Sequence, residues 1–169
     1  MLKFAGALMI VMSCAAVGFY AAAAHRKEEQ ALKQLFRGLE YMSNELQYKM
    51  TPLPELCANA AKISMGCVGK VFLALEEELN AQITPEASSC MHAAISRQSN
   101  LPCKVEKCLT ELGTTLGRFD LSGQISGLEA VKKLAELELE HLSRNREVRL
   151  RNYQTLGLCA GSALALILL

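Results

Sequence analysis

Two uncharged apolar runs, one near each end, constrain this chain more than any other feature. The first covers 21 residues, Phe4 to Ala24. As a helix it reaches roughly 30 Å, the thickness of a bilayer's hydrocarbon core. The second covers 15 residues, Thr155 to Leu169, and reaches roughly 22 Å. That is short for a full crossing, but local thinning or a partner helix accommodates it. The first run also admits a reading as a cleaved secretion signal, with Ala22-Ala23-Ala24 as the small-residue site. It is longer than an ordinary signal core, its basic flank is Lys3 alone, and the chain carries seven cysteines. A retained anchor fits better.

Charge sets the expected orientation. Arg26 and Lys27 follow the first run, and Arg144, Arg146, Arg149 and Arg151 precede the second. Basic residues beside a span favour the cytoplasmic side. The expected layout is a transmembrane helix over 1–24, a cytoplasmic helical bundle over 25–152 and a membrane helix over 153–169. Within the second run, Gly157 and Gly161 have the spacing that lets helices approach closely in lipid.

The remaining 128 residues, 25 to 152, suffice for a cored domain. Leu and Ala dominate and β-branched residues are sparse, so the fold class expected is all-α, a compact antiparallel bundle. Net charge is +1 and Trp is absent, which argues against a nucleic-acid partner. From Arg26 to Met50 a stripe of Leu32, Leu35, Phe36, Leu39, Met42, Leu46 and Met50 predicts an amphipathic helix. Within it Gly38 costs about 1 kcal/mol relative to alanine.

"MTPLPEL" ends that helix. Pro52 cannot continue it and pushes Thr51 away from the α region. Thr51 is then expected to cap the next helix, with Pro52 and Pro54 in its first turn and Glu55 favoured by the helix N-terminus. Leu53 points from this corner into the core or toward a partner. Later helices are expected over 67–79, from Thr84-Pro85-Glu86 to about Arg97, and from Pro102 through Leu116. Gly113 and Gly117 suit a turn or close packing. Asp120 is expected to cap a last helix with Leu121, Ile125, Leu128, Val131, Ala135, Leu139 and Leu142 on one stripe, running into the C-terminal apolar segment.

Chemistry is sparse. His25, His92 and His141 are scattered, and no nucleophile motif occurs. Gly66-Cys67-Val68-Gly69-Lys70 lacks the phosphate-loop spacing and reads as a helix start. The cysteines lack zinc spacing and read as reduced small hydrophobes. No catalytic, cofactor or metal residue is assigned. Glu76, Glu77 and Glu78 read as a solvated face or part of a partner surface.

The apolar N-terminal helix, the "MTPLPEL" corner, "LGTTLGRFDLSGQ" from Leu112 to Gln124, and the ending "YQTLGLCAGSALALILL" resemble the stage III sporulation protein AB family end to end. The motif positions are Thr51, Pro52, Leu53, Pro54 and Glu55, then Leu112, Gly113, Leu116, Gly117, Asp120 and Gln124. The resemblance implies a non-enzymatic platform component of the secretion-like channel between mother cell and forespore. Its bundle would be similar to the F domain of type II secretion platforms. Its partners would be a cytoplasmic secretion-type ATPase, other membrane components of the channel and the lipid bilayer. Three alternatives stay open: a membrane-anchored helical adaptor outside transport, a secreted helical protein cleaved near Ala24, and a small membrane-bound enzyme without a recognisable site.

Overall fold

The computed structural model describes the backbone of residues 2–49, 51–81, 86–117 and 121–168, and side chains at residues 12, 20, 23–49, 51–81, 86–117 and 121–144. Among these are six helices and no strand: α1 (Leu2–Lys49), α2 (Leu53–Ile63), α3 (Gly66–Ala81), α4 (Ala87–Ser96), α5 (Cys103–Thr115) and α6 (Leu121–Leu168). The all-α expectation holds. Helices α1 and α6 run unbroken, because neither contains a proline.

Residues 1–27 and 141–169 form one compact unit, and residues 28–140 form a second. The first contains both apolar runs. Among the described residues, no helix is long and apolar enough to cross a membrane. Most side chains of the two runs, with Gly157, Gly161, Tyr153, Arg146, Arg149 and Arg151, lie outside the described residues. Arg26, Lys27 and Arg144 are exposed.

The core of the second unit follows the amphipathic stripes. Leu32, Leu35, Leu39 and Met42 of α1 are fully buried, as are Leu56 of α2, Phe72 and Leu75 of α3, Met91 of α4, Leu109 and Leu112 of α5, and Leu128 of α6. Burying one such side chain stabilises by about 1.5–3 kcal/mol. The expected stripes are trimmed at their ends. Phe36, Leu121, Ile125, Leu139 and Leu142 are half-buried, and Met50 lies outside the described residues. Consecutive short helices pack on one another, α2 on α3, α3 on α4 and α4 on α5. Side-chain contacts pair α1 with α6: Ser43 Oγ donates to Glu129 Oε1 at 2.8 Å, and Lys132 Nζ lies 5.7 Å from the Phe36 ring centre. As α1 numbers fall, α6 numbers rise, so the two helices are antiparallel here.

The α2 cap differs from expectation. Pro52, not Thr51, is the N-cap residue, with φ −56° and ψ 144°, and Pro54 sits at the second helical position. Pro52's carbonyl accepts the Leu56 N–H at 2.9 Å, which fixes the helix start one residue later. Proline has no side-chain acceptor, so α2 starts without a side-chain cap. Its missing N–H and that of Pro54 cost nothing in a first turn. At α4 the N-cap is Glu86, again without a side-chain cap bond, rather than a residue inside the helix. Thr84, Pro85 and Asp120 lie outside the described residues.

Gly38 does more than weaken a helix. A Cβ there would lie 2.5 Å from Ser64 Oγ and 2.9 Å from Phe72 Cε2. The α2–α3 corner is seated against α1 at this point. Ser64 Oγ donates to the Gln34 carbonyl at 3.2 Å, and the Met65 N–H donates to Gln34 Oε1 at 3.1 Å. Gly66, φ +74°, supplies the left-handed residue that turns the chain into α3.

Candidate interaction surfaces

The two family-like motifs, some sixty residues apart in sequence, share one end of the second unit. From the Ser43–Glu129 bond, α1 continues six residues to Lys49 while α6 goes back eight to Leu121. The antiparallel pairing carries both in the same direction, by roughly 9–12 Å. The Thr51–Glu55 corner therefore lies near the start of α6. In the second motif, Leu112 and Leu116 are buried core residues. Gly113 is buried where a Cβ would meet Met91 Cβ at 2.7 Å, and Gly117, φ +72°, ends α5 in the left-handed conformation. Gln124 is half-buried. These positions set how helices approach and end.

At the corner, Pro52 and Glu55 are exposed, and Thr51, Leu53 and Pro54 are half-buried. Released from capping, the Thr51 hydroxyl donates to Glu45 Oε1 at 3.2 Å. The same carboxylate oxygen accepts from Lys49 Nζ at 3.2 Å. Thr51→Ala should cost about 0.5–1.5 kcal/mol through that single bond. In a Glu45→Ala background the same substitution should be nearly neutral, which a cap would not give. Chemical denaturation of the full-length variants reads the difference.

The acidic run is partly neutralised within the chain. Arg97, at the C-cap of α4, donates from Nη1 to Glu77 Oε2 at 3.1 Å and from Nη2 to Glu78 Oε1. Glu76 accepts from Asn80 Nδ2 at 2.7 Å. Arg97 thus ties the ends of α3 and α4 together, although pairs this exposed contribute only about 0–1 kcal/mol.

A groove of about 670 Å³ lies along the α1–α6 seam. Phe36 and Ala130 supply its apolar surface, and Glu40, Glu129, Lys132 and Glu136 are among its lining residues. Lys132 is 3.7 Å from Glu129 and lies over Phe36, so those two charges are mutually engaged. Sequence reasoning passes over this groove, because its walls come from helices about ninety residues apart.

Among the described residues no cluster of His, Cys, Asp or Glu is arranged to hold a metal. Five cysteines there are free thiols: Cys57, Cys67, Cys90, Cys103 and Cys108. Burial pushes the Cys57 thiol up to about 12, and the Glu76 carboxylate adds to the shift. Burial pushes Cys108 up to about 11, with Glu138 adding and Lys107 opposing. The thiolate is the nucleophile, and burial keeps Cys57 protonated at pH 8. With iodoacetamide at pH 8, peptide mass spectrometry should find exposed Cys103 modified first, and Cys57 and Cys108 only after unfolding. Stability owed to these raised values is fully present below about pH 9 and falls as pH rises toward 11–12.

Comparison with known proteins gives a consistent result. The family model described as stage III sporulation protein AB matches residues 3–169. A relative of that name from Bacillus subtilis (strain 168) is 26% identical over 178 aligned positions, which cover all of both chains. A solved structure of stage III sporulation protein AB matches with a TM-score of 0.63 at 21% identity, covering 72% of this chain and 98% of that one. That likeness shows a shared fold. With the family match running almost end to end through both motifs, the chain belongs to the stage III sporulation protein AB family, whose role is in sporulation.

Proposed function

We propose that this protein is a membrane-held platform component of the mother cell–forespore channel, and that it docks a cytoplasmic secretion-type ATPase. The observation that carries the reading is the match over residues 3–169, which takes in both apolar runs as well as the helical unit. In this reading residues 1–24 and 153–169 are membrane helices, and residues 25–152 face the mother-cell cytoplasm. Six basic residues on the inner flanks favour that orientation. The helical unit acts like the F domain of a type II secretion platform, and the other membrane components of the channel assemble beside it. It performs no catalysis. Gly66–Lys70 opens α3, and no described strand precedes it to build a phosphate loop, so the work of transport comes from the partner.

The test is affinity purification of tagged full-length protein from the detergent-solubilised membranes of sporulating cells. The reading requires the complex's ATPase in the eluate and the protein in the membrane fraction. Recovery of the protein from the soluble fraction, or of membrane-bound protein without the ATPase, overturns it.

A further inference from the structure

The α1–α6 groove has a charge pattern that the chain does not satisfy by itself. Lys132 and Glu129 engage each other, and Glu129 also accepts from Ser43. Among the described residues, Glu40 and Glu136 have no ion-pair partner. Both are exposed and both line the groove. Lys133, also in the lining, has none either, so two free carboxylates outweigh one free ammonium.

The antiparallel pairing orders these groups along the groove. Lys132 lies over Phe36. Glu40 is four residues beyond Phe36 on α1, about 6 Å one way. Glu136 is four residues beyond Lys132 on α6, about 6 Å the other way. The carboxylates therefore bracket the aromatic ring, about 12 Å apart along the seam. A helix laid in the groove would meet them with residues about eight apart, and meet Phe36 and Ala130 with the residue midway. That residue spacing keeps to one helix face.

We propose that this groove docks an amphipathic helix of a partner protein bearing a basic, apolar, basic pattern at i, i+4 and i+8. The apolar residue packs on Phe36 and Ala130, and the basic residues pair with Glu40 and Glu136. The proposal rests on the platform reading for the existence of a partner, and names the surface and the chemistry by which one is held. The acidic run on α3 fits the task less well, because Arg97 already holds Glu77 and Glu78.

The probes are two fluorescent 18-residue alanine-based helices. One carries Arg, Leu and Arg at i, i+4 and i+8, and the other Glu, Leu and Glu. Anisotropy is read against full-length protein in detergent micelles, with empty micelles subtracted. The wild-type protein should prefer the arginine peptide by about tenfold, the sum of several partly exposed charge contacts. Glu40→Lys/Glu136→Lys should reverse the preference, a gain that an unfolded variant cannot mimic. Ala130→Trp, which fills the groove from an exposed position, should abolish binding of both. Equal affinity for the two peptides, no saturable binding of either, or an unchanged preference in the double variant overturns the proposal. Any of these results leaves the platform reading standing, since that is decided by the ATPase co-purification.

Discussion

Truncating Phe72 to alanine should destabilise the helical unit by about 3–5 kcal/mol. The ring is fully buried on α3 and lies against α1 at Gly38. Removing it leaves a cavity where the α2–α3 corner meets the first helix, and a loss of that size is a large part of a typical domain's stability. Gly38→Ala tests the same contact from the other side. In an open helix that change gains about 1 kcal/mol. Here the added methyl would fall 2.5 Å from Ser64 Oγ and 2.9 Å from Phe72 Cε2, so crowding of about 1–3 kcal/mol opposes the gain. Crowding wins because Phe72 is packed on all sides and Ser64 is held to the Gln34 carbonyl. Ser64→Ala relieves the nearer clash, so Gly38→Ala should cost less in that background than in wild type. Pulse proteolysis of the full-length variants reads all three. An additive cycle would show that Gly38 and Ser64 do not press on one another.

If the platform reading extends to α6 conveying the docked ATPase's motion to the membrane, inserting four glycines after Arg151 should abolish sporulation while leaving ATPase co-purification intact. Helix α6 is continuous from Leu121 to Leu168. A rigid helix carries a displacement that a flexible glycine segment absorbs. Spore counts after heat treatment, beside immunoblots for protein level, decide the matter. Normal spore numbers from the insertion strain would reduce the protein to a docking anchor.

Much of the fold is legible in the sequence for a simple reason. The stripes of α1 and α6 repeat at helical spacing, and their central members are the ones buried, Leu35 and Leu39, Leu128 and Val131. The stripes mislead at their ends, where Leu121, Ile125, Leu139 and Leu142 are only half-buried. The corner misleads because its residue types permit two starts one residue apart. Thr51 has the chemistry of a cap, but the Pro52 carbonyl takes the first helical bond. Gly38 looks like a small propensity loss, since what crowds it comes from α2–α3, over twenty residues on. A separation of 19 to 20 residues hides Arg97 as the partner of the acidic run, and one of about ninety hides the groove altogether. Local pattern gives the elements, and the surfaces come from pairs that pattern does not connect.

The pairing of α1 with α6 also sets an order of assembly. Helices α2 to α5 pack on their sequence neighbours, so their contacts are local and close quickly. The Ser43–Glu129 contact closes a loop of 86 residues and waits until α6 has been made. During synthesis the first helix emerges first, yet its Ser43 and Phe36 contacts with α6 form last. At about 5–20 residues per second, those two positions wait several seconds for their partners. A chain interrupted before Leu121 would carry the short helices and an uncovered seam on α1, the kind of surface that chaperones and proteases recognise. The arrival of α6 is therefore the step that completes the 28–140 unit.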